Sequence, residues 1–143
     1  MTIHRLNIFA PVALLSLLLV GGGCGEADGT EGGDENAEQM VTSEDDHFSG
    51  HFLPDPDPPI TGDNVVTIHL TDDGEPVTGA DIDVEPWMPG HGHGSPEHPE
   101  VIEDNGEYVV SNIVYSMPGH WELRVDVAVD DLTDEFVVDY EVE

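Results

Sequence analysis

A chain of 143 residues that sets 32 acids against two arginines carries a formal net charge of −30. A field of that sign argues against nucleic acid and anionic lipid surfaces as partners and favours cations. The single cysteine rules out an intrachain disulfide, and the length allows one ordinary domain at most. The acidity has a second reading, a salt-adapted surface with no binding role, whose self-repulsion is screened over about 8 Å at physiological ionic strength.

The chain opens with Arg5, an apolar run from Leu6 to Val20 broken by Pro11, and the small residues Gly21-Gly22-Gly23. This layout predicts a secretory signal peptide over 1–23. The run is too short, and too quickly followed by glycine and acid, for a comfortable transmembrane helix. Cys24 follows directly, in a position that resembles the lipidation site of a bacterial lipoprotein. Gly21 departs from the usual leucine there, and ordinary cleavage leaving a free thiol is the alternative. The exported chain would keep Arg124 as its only basic side chain apart from histidine.

From Gly25 to Gly50 the residues are mostly Gly, Glu, Asp, Thr, Ser and Asn. So little apolar surface does not offset the entropy of ordering the chain, which predicts disorder. Residues 51–61 are proline-rich, and a stiff extended arm is expected. The span 24–62 is thus read as a lipidated, acidic and Pro-rich tether, with His47 and His51 as polar residues on it.

Past this point the pattern turns to period two, which marks half-buried strands. Val66, Ile68 and Leu70 alternate with Val65, Thr67 and His69, and Asp72-Asp73-Gly74 supplies a turn. Ala80, Ile82 and Val84 alternate with acids up to Trp87. Val101–Glu103 is a short candidate strand before Asn105-Gly106, a hairpin signal. Tyr108 and Val110 begin an irregular strand through Tyr115. Trp121, Leu123, Val125 and Val127 form the clearest alternation, and Phe136, Val138, Tyr140 and Val142 the last. No segment has helical spacing. The expectation is an all-β domain over 63–143, a small immunoglobulin-like β-sandwich of six or seven strands.

Met-Pro-Gly-His occurs twice, at Met88–His91 and Met117–His120, with Trp87 before the first copy and Trp121 after the second. The first copy runs on through His93 to His98. If successive strands are antiparallel and Val101–Glu103 is one of them, both copies lie at the same end of the sandwich. If it is not, they lie at opposite ends. Thioether and imidazole without thiolate suit copper, since methionine selects Cu(I) and zinc rarely takes it. The candidate metal ligands are Met88, His91, His93, His98, Met117 and His120, with Trp87 and Trp121 as possible flanking aromatics. The alternatives are plain: methionine fills gaps at a sandwich rim, histidines sit exposed on loops, and Trp121 is in phase with the core.

The Gly74-Glu75-Pro76-Val77-Thr78-Gly79-Ala80 turn, Trp87-Met88-Pro89-Gly90-His91, Gly106-x-Tyr108 and Met117-Pro118-Gly119-x-Trp121-x-Leu123 together resemble the YtkA-like domain. That domain is related to FixH-like proteins and is a small exported or membrane-tethered immunoglobulin-like sandwich. The resemblance covers about 63–143 and implies an association with copper handling, with Met88, His91, Met117 and Trp121 as the matching positions. The resulting expectation is a non-enzymatic, lipid-anchored binding module facing the periplasm or cell exterior. It would hold copper and pass metal to an envelope or membrane protein. The competing expectation is a structural or protein-interaction module without metal. No nucleophile or paired-carboxylate arrangement points to an enzyme.

Overall fold

The computed structural model describes residues 39–143. The expected signal peptide, Cys24 and the first part of the tether lie outside these residues. Ten strands follow in order: β1 Gln39–Thr42, β2 Ser49–Asp55, β3 Gly62–Asp72, β4 Glu75–Pro76 and β5 Asp81–Met88. The rest are β6 His93–Gly94, β7 Glu100–Asp104, β8 Glu107–Tyr115, β9 Gly119–Val129 and β10 Leu132–Val142. They form two antiparallel sheets. One has the order β1-β2-β3-β8-β7 with β4 against β3, and the other is β10-β9-β5-β6.

The core is the set of inward faces that the alternation marks. Val66, Ile68, Leu70, Tyr108, Val110, Ile113 and Tyr115 come from the first sheet, and Trp121, Leu123, Val125, Phe136 and Val138 from the second. Each is almost wholly removed from water, which at about 25 cal/mol per Å² of apolar surface is the main favourable term for a domain without a disulfide. The hairpin turns follow the sequence chemistry. Asn105 and Gly106 both have positive φ, 55° and 86°, the geometry of a type I′ turn between β7 and β8. The irregularity read in β8 is a bulge: the β3–β8 register shifts between Asn64 and Val66, and Asn112 has φ 59°.

The expected tether over 24–62 is corrected across its described part. Gln39–Thr42 and Ser49–Asp55 are strands, and they extend the first sheet beyond β3. The polar average of this stretch hides a few decisive residues. Phe52 is fully buried and packs on Phe136 with ring centroids 5.4 Å apart. Phe48 is buried beside it in the core. At Gly50 a Cβ would stand 2.6 Å from the Phe52 ring, so only glycine fits. The expected stiff extended arm ends at Asp55, where the chain leaves the sheet through cis peptide bonds before Pro56 and Pro58.

Candidate metal site at the Met/His rim

Val101–Glu103 is indeed strand, within β7, and pairs antiparallel with β8. The two Met-Pro-Gly-His segments accordingly meet at one end of the sandwich. The first is the tip of a tight hairpin. Met88 pairs with His93 and Trp87 with Gly94, while the Met88 carbonyl accepts hydrogen bonds from the backbone N–H groups of His91 (3.1 Å) and Gly92 (2.9 Å). Gly94 lies so close to β5 that a Cβ would come within 3.1 Å of the Pro86 carbonyl oxygen. The second copy is a bend into β9. There Gly119, at φ 126°, lets the Met88 methyl approach within 3.2 Å of where a side chain would begin.

The ladder defines a row along this rim. Tyr140 pairs with Trp121, Trp87 with Glu122, and one further step sets Met88 beside Trp121, with His93 next on β6. Ring contacts follow the row. His91 and His93 have centroids 5.8 Å apart, His93 and Trp121 meet in a T-shaped contact at 5.9 Å, and Trp121 meets Tyr115 at 5.2 Å. The indole Nε1–H donates to the Met117 carbonyl at 2.9 Å, which ties the second segment to the row. Met117 is half-buried against the core, Met88 is buried, and His91 is exposed.

His98, His120 and Trp87 do not join this group. Alternation puts His120 on the outer face of β9, where its Nε2 lies 2.8 Å from Asp139 Oδ1. Trp87 is on the same outer face with the Arg124 guanidinium 5.1 Å over its ring, and Arg124 also donates to Glu122 at 2.7 Å. His98 is exposed in the β6–β7 connection, its carbonyl accepting a hydrogen bond from Asn112. The two tetrapeptides are therefore alike in letters but not in structure. Met88 ends an inward-facing strand and His91 caps a hairpin, whereas Met117 precedes its strand and His120 points away from the core.

The candidate donor set at the rim is two imidazoles with the buried Met88 thioether, Met117 nearby, and the Trp121 indole on one side. Such a soft and borderline set fits copper better than zinc. The phenols beneath it do not compete as ligands. Tyr115 and Tyr140 are buried without a hydrogen-bond partner for either hydroxyl among the described residues, and burial, reinforced by the other phenol, pushes the Tyr115 pKa far above the ordinary phenol value. Burial acts in the same direction on Tyr140, with Asp57 adding to it.

Sequence reading missed a second grouping, Asp45, His47 and Asp134, whose potential ligand atoms lie within 4.8 Å of one another. Its arrangement is that of a staple. Asp134 accepts from Ser43 Oγ (2.5 Å) and from the backbone N–H groups of Asp45, His47 and Glu135, with His47 Nδ1 at 3.2 Å. Burial would raise this carboxyl, but the Ser43 and backbone hydrogen bonds outweigh it and hold it down to about 2. Both oxygens are already saturated with donors, which leaves no lone pair directed at an ion. A groove of about 440 Å³ beside it is lined by the acidic residues Asp81, Asp83, Asp126 and Glu135 among others.

A two-layer antiparallel sandwich with a Met/His rim defines the class. The chain belongs to the YtkA-like family, whose model matches residues 46–126. The match starts inside the stretch expected to be tether and takes in β2, in keeping with the corrected boundary. In fold the protein is similar to a DUF4426 family protein from Pseudomonas aeruginosa PAO1, seen in a crystal structure. The TM-score is 0.54 at 14% sequence identity over 73% of this chain and 96% of that one. At that identity the likeness concerns the fold alone. No curated protein matches the sequence.

Proposed function

We propose that this protein is an exported, lipid-anchored binding module of the cell envelope that holds a copper ion at the Met/His rim. Met88, His91, His93 and Met117 form the ligand pool, and Trp121 shields one side. The observation that carries this reading is the continuous contact from His91 through His93 to Trp121, with the Met88 thioether in the same row. Thioether favours Cu(I) over harder cations. Cys24 supplies the anchor, and a membrane protein of the envelope receives the metal. With no nucleophile in the row, the role is binding and delivery rather than turnover.

Anaerobic titration of the chain with Cu(I), followed by desalting and metal analysis, tests the proposal. Trp87 is on the opposite face, so a Trp87→Phe variant isolates the emission of Trp121. One retained equivalent and a change in that emission are expected, and both should vanish in a Met88→Leu/His91→Gln/His93→Gln variant. His98→Gln and His120→Gln should bind as the parent does. Unchanged emission with no metal retained after desalting would sink the proposal.

A further inference from the structure

On the far side of the first sheet the register assembles a second set of metal-ligating side chains. Met40 on β1 pairs with His51 on β2, His51 with His69 on β3, and His69 with Glu107 on β8. The four form a straight line across four adjacent strands. All point outward, since Phe52, Ile68, Leu70 and Tyr108 beside them in sequence are buried in the core. The His51 and His69 rings meet edge to face with centroids 6.3 Å apart, and His69 Nε2 lies 3.0 Å from Glu107 Oε1.

We propose that this row, centred on the cross-strand pair His51–His69, is a second metal site, selective for a divalent transition-metal ion such as Zn(II) or Cu(II). Directly opposed residues on antiparallel strands hold their Cβ atoms about 4.5–5.5 Å apart. Ring rotation, without backbone movement, then brings one nitrogen of each imidazole to a shared ion at about 2.0–2.1 Å. Glu107 has the place of the carboxylate that accepts the other ring N–H of a ligating histidine, fixing its tautomer and orientation. Here it holds Nε2 of His69 and leaves Nδ1 for the ion. Met40, 72% exposed at the sheet edge next to His51, offers a thioether when the ion is copper.

The surroundings favour a bound ion over a purely solvated face. The neighbouring row of the ladder, Leu53, Thr67, Val109 and Ile102, is largely apolar and shields that side of the half-buried imidazoles. Asp104 pairs with Glu107 and adds a second negative charge at the end of the row. The set differs from the rim in kind, because two imidazoles backed by a carboxylate make a harder site than two imidazoles with a buried thioether. The protein would thus hold two ions of different character, one at the end of the sandwich and one on the outer face of its first sheet.

The test uses the full chain labelled at the histidine rings, in the wild type and in the Met88→Leu/His91→Gln/His93→Gln background that silences the rim. With one equivalent of Zn(II), the His51 and His69 ring signals should shift together in both proteins. His69→Gln should abolish the shift at His51 while the amide spectrum stays folded. Glu107→Gln should keep the stoichiometry and weaken binding about 10- to 100-fold, the usual cost of losing such a partner. The proposal is overturned if His69→Gln binds zinc as tightly as its parent. It is also overturned if zinc moves His47 or the rim histidines and leaves His51 and His69 unmoved.

Discussion

Asp134→Asn should expose how much of the stability rests on one carboxylate. Asp134, the third residue of β10, gathers the β1–β2 loop around it by accepting from Ser43 and from the N–H groups of Asp45 and His47. An amide of the same shape offers one acceptor oxygen and turns an NH₂ towards donors, leaving at least one of them unsatisfied at about 1–3 kcal/mol. Linkage gives a second measure. The fall from the ordinary 3.8 to about 2 corresponds to about 2.4 kcal/mol in full. The cage opens towards the exposed Asp45 and His47, and screening by water there brings this nearer 1–2 kcal/mol. Because the folded value is depressed, the contribution is complete above about pH 4 and is lost as pH falls through about 2. Urea unfolding of parent and variant should therefore differ by about 2 kcal/mol at pH 6, and by clearly less at pH 2. Taking the difference cancels the relief of repulsion that acid brings to every other carboxylate. Equal differences at both pH values, or a variant as stable as its parent at pH 6, would refute the reasoning.

Two further substitutions probe the acidic surface and the loop that feeds β5. Asp83, Asp126 and Glu135 stand directly opposite one another on β5, β9 and β10, and burial together with the Asp126 charge raises the Glu135 carboxyl. Asp126→Asn should stabilise the protein by about 0.2–1 kcal/mol in low salt. The gain should shrink in 1 M NaCl, where screening acts over about 3 Å, and thermal melts at the two ionic strengths check it. Tyr108 donates its hydroxyl proton to the Val77 carbonyl (3.1 Å) and accepts from the Ala80 N–H (3.0 Å), clamping the β4–β5 connection. Tyr108→Phe should cost about 1–3 kcal/mol and speed exchange of the Ala80 amide, measured by urea unfolding and hydrogen exchange.

Where each strand carries its own alternation, its face is readable from sequence alone. Trp121 to Val127 and Phe136 to Val142 point inward as the period-two pattern predicts, and the Asn105-Gly106 turn adopts the conformation its residues favour. Composition misleads where a strand is polar on average yet anchored by few residues. Ser49 to Asp55 holds Phe52 in the core and is closed over it by Gly50, but the polar residues before it and the four prolines from Pro54 to Pro59 make the stretch read as tether. Burial of one aromatic ring outweighs the propensity of its neighbours, and no window average detects that.

Side-chain alternation assigns a residue to a face, while only register assigns it a neighbour. The rim could be reached by counting strands, because both Met-Pro-Gly-His segments sit at strand ends, and the parity of Glu100–Asp104 decides the matter. Parity also explains why the two copies part company. His120 is one residue from Trp121, and in a strand one residue means the opposite face. His51 and His69 lie 18 positions apart on two strands whose pairing is set by β2 joining the sheet at all. A reading that left Ser49–Asp55 as tether could not place those two rings together. A sandwich this negative gains little from another carboxylate, so the selective metal binding we propose rests on where register brings its few imidazoles and thioethers. That occurs at the rim and again on the outer face of the first sheet, and each place has a donor set of its own.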